Sequence, residues 1–179
     1  EPITQAIRNR SWAPKEPSSQ HNSYVDMILR LVQELNATLA ELPIPAAVHA
    51  TVLEQAVGCI ADALVDSCAF AKKCNDEGRA LMVRDVKVLQ AALDKLVRGG
   101  QLPANKLSVS HAELWVQALA LRDADAVLTW ARADGRGYSI KHLSAIVLAT
   151  GYVAGGVLKK KEQQELVSAL QELAAHPRD

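Results

Sequence analysis

Three long stretches in the first hundred residues carry apolar side chains at alternating spacings of three and four, which is the pattern of one buried helix face. The first stretch comprises Val25, Ile28, Val32, Leu35, Leu39 and Leu42; the second Leu53, Val57, Ile60, Leu64, Cys68 and Ala71; the third Met82, Val86, Leu89, Leu93 and Leu96. Aromatic residues make up only 4% of the chain, so an aliphatic core is required. The pattern predicts an all-α fold.

Start and stop signals divide the chain into about seven helices. The predicted elements are a first helix from Asn22 or Ser23 to Pro43, a second from Pro45 to about Lys73, a third from Asn75 or Asp76 to Gly99, a fourth from the capping box Ser110-His111-Ala112-Glu113 to about Leu121, a fifth from Asp123 or Asp125 through Trp130 to Gly135, a sixth after Ser139, and a seventh over about Lys159–Ala174. Short connections predict antiparallel neighbours. The long first helices favour an elongated, rod-like bundle.

The domain organisation predicted from these signals is simple. Residues 1–21 are rich in proline and serine and predict an extended or flexible lead-in, with Trp12 as a candidate anchor. Residues 22–179 predict a single helical domain. Because the chain starts with Glu1 and has its first methionine at Met27, we expect an excised piece of a longer protein.

Composition and spacing argue against several functional classes. Lysine plus arginine and aspartate plus glutamate both number 20, whereas a non-specific nucleic-acid binder would carry a basic excess. The three cysteines lack Cys-x-x-Cys spacing and predict free thiols, and the five scattered histidines predict surface or cap positions rather than metal ligands. We therefore expect no metal or cofactor, and no catalysis.

Two features resemble functional motifs but miss their requirements. Gly151 to Gly156 has the glycine spacing of a phosphate-binding loop, but Val157 stands where that loop needs lysine. Leu143–Leu158 is uncharged over 16 residues, whereas a membrane-spanning helix needs about 20. A buried helix with a glycine-rich end is the prediction for this segment.

The junction between the second and third predicted helices holds the most unusual residues. Gly78 lies four residues before Met82 on the buried face, where glycine costs about 1 kcal/mol against alanine. The prediction is that another backbone approaches closely there. Asp85 is expected at the edge of the apolar stripe, where it pairs with a base or caps a neighbouring helix, and Arg79 on the opposite flank.

Basic residues cluster around the same junction. Lys72, Lys73, Arg79 and Arg84 are candidates for a partner-binding surface, while ordinary solvated charge is the simpler alternative.

The junction sequence resembles the C-terminal region of the syndetin family. The resemblance rests on Ala71-Lys72-Lys73-Cys74, on Glu77-Gly78-Arg79-Ala80-Leu81-Met82 and on Asp85, with Trp130, Tyr138-Ser139 and the basic, leucine-spaced last helix downstream. It extends over about residues 22–175 and does not include residues 1–21. Gly78, Met82, Asp85, Trp130 and Tyr138 are the positions expected to be structural.

The resemblance implies a helical segment of the CATCHR type, related to exocyst and GARP subunits, in the endosome-associated recycling complex. It further implies a non-catalytic role in vesicle tethering on recycling endosomes or trans-Golgi membranes. The implied partners are sister subunits, SNAREs or small GTPases, with membrane association through the complex. A helical scaffold outside membrane trafficking and an enzyme with a site between helices are the alternatives.

Overall fold

The computed structural model describes residues 2–71, 74–102, 107–151 and 159–175. Its helices are α1 (Pro2–Arg8), α2 (Ser23–Ala40), α3 (Ala46–Cys68), α4 (Asp76–Arg98), α5 (Ser110–Ala118), α6 (Ala124–Ala133), α7 (Ile140–Gly151) and α8 (Lys160–Ala175), with a short 3-10 helix at Gly135–Gly137. The described residues form no β-strand, only an isolated bridge between Trp12 and Cys74. The all-α class is confirmed, with eight α-helices in these residues instead of about seven.

Helix α3 has packing partners on several sides. It contacts α1, α2 and α5, while α4 packs against α2 and α5. Helices α6, α7 and α8 contact one another. The first five helices therefore share one packed region. The last three helices, which follow them in the sequence, pack against one another.

The predicted apolar stripes form the core of the first helices. The buried members are Val25, Ile28, Val32 and Leu39 on α2, Leu53, Val57, Leu64 and Cys68 on α3, and Met82, Val86, Leu89 and Leu93 on α4. Leu42 departs from the prediction because α2 ends at Ala40, which leaves its side chain half exposed. Burial of aliphatic side chains at this spacing is the main stabilising contribution available to such a fold.

Three of the predicted helix starts are confirmed by side-chain caps. The carboxamide oxygen of Asn75 accepts the main-chain N–H of Gly78 at 2.8 Å, and the Asp123 carboxylate accepts that of Ala126 at 2.8 Å. The Ser139 hydroxyl lies 3.3 Å from the main-chain nitrogen of His142. Each accepts one of the N–H groups that a first helical turn leaves without an intrahelical partner.

The prediction of a capping box at Ser110 is wrong. Ser110 is the first residue of α5, not its cap, and its hydroxyl accepts a hydrogen bond from the Ser108 hydroxyl at 3.0 Å. Glu113 accepts from Gln117 at 3.0 Å, one turn further along the helix. A competing local hydrogen bond has therefore replaced the reciprocal pair that the sequence pattern predicts.

Helix α3 ends at Cys68, five residues earlier than predicted. Phe70 and Ala71 continue as single turns whose N–H groups donate to Ser67 and Cys68. At Cys74 the chain lies instead beside Trp12. The apolar pattern continued past the helix because Ala71 still packs against the core.

The N-terminal segment begins with a helix that its composition does not predict. Pro2–Arg8 is helical, and the side chains of Ile7 and Trp12 are each 1% exposed. The Trp12 indole N–H donates to the Ile7 carbonyl at 3.1 Å. A helix of seven residues is too short to show a repeating stripe, so pattern analysis favours a loop there.

Helix α3 is long and apolar enough to cross a bilayer by length and composition. Its most apolar window has a mean hydropathy of 1.3, and one third of that window is buried. A core helix of a folded domain passes the same test, and α3 packs against three other helices. Of the predicted buried helix over residues 143–158, α7 includes 143–151; residues 152–158, with most of the glycine-spaced segment, lie outside the described residues.

Candidate functional site

The N-terminus of α4 is built against the main chain of the N-terminal segment. The main-chain N–H of Asn75 donates to the Trp12 carbonyl at 3.2 Å, and the Asn75 carboxamide donates to Pro14 at 2.8 Å. A Cβ atom on Gly78 would overlap the Trp12 carbonyl oxygen and lie 2.7 Å from its carbonyl carbon. The predicted close approach of another backbone to Gly78 is therefore present, and the approaching backbone is that of Trp12.

One helical face of α4 carries this contact and a buried carboxylate together. Gly78, Met82 and Asp85 are buried, and the first and last of them are seven positions apart, which is almost two helical turns. Asp85 is 1% exposed, so it lies inside the packed face and not at its edge. Its interior position is the largest departure from the prediction for this helix.

Three donors from the start of α2 satisfy the buried carboxylate of Asp85. The main-chain N–H of Asn22 donates to one oxygen at 2.9 Å. The Asn22 carboxamide and the Tyr24 hydroxyl donate to the other at 2.6 and 2.7 Å. Among the described residues no lysine or arginine pairs with Asp85, so its predicted pairing with a base is wrong and its capping of a neighbouring helix is confirmed.

The burial of Tyr24 suits it to this contact. Loss of solvent, then the neighbouring Cys68 and Asp85, raise the pKa of the Tyr24 hydroxyl well above its usual value. The hydroxyl therefore keeps its proton and remains a donor to the carboxylate. A buried carboxylate is costly unless several hydrogen bonds replace its hydration, and three such bonds replace it here.

Arg79 is not part of an exposed basic surface. Its side chain is 6% exposed, donates to the Cys74 carbonyl at 3.1 Å and pairs with Asp76. Its aliphatic part is covered while its guanidinium holds the chain that leads into α4. Arg84 is exposed on α4, and Lys72 and Lys73 lie outside the described residues.

A second polar cluster joins α3, α5 and α7. Asp66 lies one turn after Asp62 on α3 and contacts the His142 imidazole, Oδ1 to Nε2, at 2.8 Å. Asp62 lies 3.6 Å from the His111 imidazole. The sequence predicts surface or cap positions for these histidines, yet both are partly buried against α3. The one sequence feature that could have indicated the cluster is the four-residue spacing of Asp62 and Asp66, which places both carboxylates on one face of α3.

Tyr138 and Trp130 complete that cluster. The Tyr138 ring stacks on His111 with centroids 4.2 Å apart and lies 5.4 Å from Trp130. Its hydroxyl donates to the His111 carbonyl at 2.6 Å, and burial raises its pKa to about 12. Trp130 and Tyr138, two of the positions expected to be structural, therefore contact each other directly, and His111 packs on the Tyr138 ring without any sequence pattern that connects it to them.

The described residues contain no group of three His, Cys, Asp or Glu side chains placed to hold a metal ion. Cys59, Cys68 and Cys74 are free thiols, as predicted. Burial raises the pKa of Cys68, and raises that of Cys74 to about 11, so both stay protonated and weakly nucleophilic at neutral pH.

The family model and the similar known proteins indicate the same family. A model of the family described as "Syndetin, C-terminal" matches residues 1–171, including the N-terminal segment that the sequence resemblance left out. Over 171 residues the chain is 32% identical to syndetin from Gallus gallus, 31% to that from Mus musculus and 30% to that from Rattus norvegicus. These matches include 93% of this chain but only 17% of each relative. No solved structure matches.

Replacement of Gly78 by alanine should destabilise the fold by about 1–3 kcal/mol, because the added methyl group meets the Trp12 main chain. The matched control is Gly58→Ala. Gly58 lies inside α3 with open space around it, and alanine there should stabilise by about 0.8–1 kcal/mol. Urea unfolding of the two variants measures both values; equal effects would contradict the close contact at Gly78.

Replacement of Asp85 by asparagine should cost about 2–3 kcal/mol, since a neutral amide accepts fewer of the three hydrogen bonds and places its own N–H groups against donors. Tyr24→Phe removes a single donor and should cost about 1–1.5 kcal/mol. Equilibrium unfolding gives both values. If Tyr24→Phe proved the more damaging change, the carboxylate would not be the centre of this contact.

The pH dependence of stability should include a contribution from His111. Burial, partly offset by Asp62, lowers its pKa, so the folded state binds a proton there less readily than the unfolded state. The contribution of His111 to stability is then fully present above about pH 6.5 and is lost as pH drops through that value toward the pKa of the folded state. Thermal melting of His111→Asn should show a shallower decline on acidification, whereas Tyr138→Phe should lower stability and leave the slope unchanged. An unaltered slope in His111→Asn would contradict this assignment.

Proposed function

Because the chain belongs to the syndetin C-terminal family, we propose that it is a structural and protein-interaction module of a multisubunit vesicle-tethering complex. The observation that carries the proposal is the family match over residues 1–171. The chain spans 17% of the length of the relatives it matches, so the proposal includes a longer subunit of which this is the C-terminal region.

The proposed mechanism is binding through helical surfaces without a catalytic step. The described helices interlock through main-chain contacts at Gly78 and a buried carboxylate at Asp85, which favours a rigid body over a hinge. Rigid helices keep binding surfaces at fixed separation. Protonated thiols and the absence of a metal-ligand group among the described residues are consistent with such a role.

The proposed setting is the cytoplasmic face of recycling endosomes or trans-Golgi membranes, in a complex of the endosomal recycling type. Sister subunits are the proposed primary partners, with SNAREs or small GTPases as further partners. Membrane association would be peripheral and through the complex. The balanced charge, 20 basic against 20 acidic residues, supports protein partners over nucleic acid.

Only some of the basic residues near the start of α4 remain candidates for partner binding. Arg79 is excluded because its guanidinium is buried and already paired. Arg84 is exposed, and with Lys72 and Lys73 it remains a proposed contact for an acidic partner surface.

Removal of residues 1–171 from the full-length subunit should abolish or strongly reduce co-purification of the sister subunits and recruitment to endosomes. Charge reversal at Lys72, Lys73 and Arg84 should reduce recruitment severalfold, whereas reversal at the exposed Lys15, Lys95 and Arg98 should not. Quantitative mass spectrometry of the purified complex and fluorescence microscopy measure the two effects. Normal assembly and normal recruitment after removal of the whole region would contradict the proposal and favour a scaffold role outside trafficking.

A further inference from the structure

An apolar groove opens between the end of α3, α5 and α7. Its volume is about 260 Å³. The deeper lining comprises Cys68, Met82, Trp115 and Leu119. Phe70 and Leu148 also line it, and they are 42% and 59% exposed. Large apolar side chains at the mouth of an apolar groove are typical of a surface that a partner covers.

Two cations flank this groove at Phe70. The Arg8 guanidinium lies over the Phe70 ring at 4.2 Å from the centroid, and the Lys141 ammonium at 4.1 Å. Arg8 is the last residue of α1 and Lys141 the second of α7, so the fold brings them together from opposite ends of the chain. Cation–π contacts hold both charges beside the opening while leaving them in water.

The local charge is positive. One acid, Asp66, lies 3.8 Å from Lys141. The hydrogen bond from His142, and after it the charges of Lys141 and Arg8, lower the pKa of the Asp66 carboxyl, so this carboxylate partly offsets both cations. Two cations beside one carboxylate leave a net positive charge at this edge of the groove. An apolar groove with a positively charged rim is complementary to a segment that has apolar side chains next to carboxylates.

We propose that this groove, which we call the Phe70 groove and define by Phe70, Leu148, Trp115, Leu119, Arg8 and Lys141, binds an acidic amphipathic segment of a partner protein. Apolar side chains of the segment fill the groove beside Phe70 and Leu148, and its carboxylates pair with Arg8 and Lys141. This inference rests on the proposed function, because it names a surface and a partner chemistry for the interaction module.

The dimensions and the charge separate this partner from two other ligand classes. The groove is smaller than the roughly 300–1,000 Å³ of typical small-molecule sites, so it accommodates one or two side chains. Recognition of anionic lipid generally uses clusters of about 4–8 basic residues, whereas this rim has two cations and an acid. A helix that inserts apolar anchors into a groove is a common mode of protein recognition.

The test uses fluorescence anisotropy with the intact protein and two labelled amphipathic peptides. Both carry leucines on one helical face; one has glutamates beside them and the other has lysines at the same positions. The glutamate peptide should bind on the order of tenfold more tightly than the lysine peptide. Arg8→Glu combined with Lys141→Glu should reverse that preference, and Leu148→Ser should weaken binding of both peptides.

The matched control is Leu42→Ser, because Leu42 is 50% exposed but does not line the groove. It should leave the binding of both peptides unchanged. Leu148 and Leu42 are exposed, so the melting curves of Leu148→Ser and Leu42→Ser should stay close to that of the unaltered protein. The double charge reversal loses the contacts to Phe70 and Asp66, so its binding is measured at a temperature at which its melting curve shows it folded. Equal affinity for the two peptides, or equal losses in Leu148→Ser and Leu42→Ser, would overturn the inference.

Measurements of vesicle binding and of self-association distinguish peptide binding from two alternative uses of this surface. Binding to phosphatidylserine vesicles that depends on Arg8 and Lys141, with no peptide binding, would assign the surface to lipid and overturn the proposal. Self-association that Leu148→Ser abolishes, again without peptide binding, would assign the surface to a second copy of the chain and equally overturn the proposal.

If removal of residues 1–171 disrupts the complex while groove variants bind peptide normally, the groove inference fails and the proposed function stands. If the groove variants behave as expected but removal leaves assembly intact, the groove stands and the tethering role fails.

Discussion

The main chain of Trp12 holds the N-terminal segment against the start of α4, and much of the described structure depends on that contact. Its carbonyl accepts from Asn75 and takes the place that a side chain at Gly78 would fill. The Trp12 side chain is buried and tied to the Ile7 carbonyl, which fixes the end of α1. Only because α1 is held there does Arg8 reach the Phe70 ring.

Asp85 makes the second connection between distant parts of the chain. Its carboxylate receives donors from the start of α2, more than sixty residues earlier, and so fixes how α2 and α4 enter their shared interface. A carboxylate buried with three specific donors stabilises one arrangement strongly and penalises every shifted one. Apolar stripes alone tolerate sliding, so we infer that Asp85 sets the register of these helices.

The junction residues mainly stabilise the fold, and the surface that we propose for partner binding is largely built from other residues. The residues that resemble the family most closely, from Asn75 to Asp85, are largely engaged within the protein, as the burial of Arg79 illustrates. The Phe70 groove lies between the end of α3, α5 and α7, and its lining has no contiguous sequence pattern. A segment can therefore identify a family mainly through its packing, while the Phe70 groove that we propose for partner binding takes most of its lining from other parts of the chain.

The sequence by itself determined the all-α class, the aliphatic core, the caps at Asn75, Asp123 and Ser139, and the need for a close backbone at Gly78, because helical periodicity and backbone sterics are local properties. Tertiary structure alone decided that Trp12 supplies that backbone, that Asp85 and Arg79 are buried, and that Asp66 meets His142. It also decided that α1 is a helix, since so short an element carries no periodic signal. Each of these depends on partners far apart in the chain, and hydrogen bonding to a distant residue leaves no spacing for a sequence pattern to reveal.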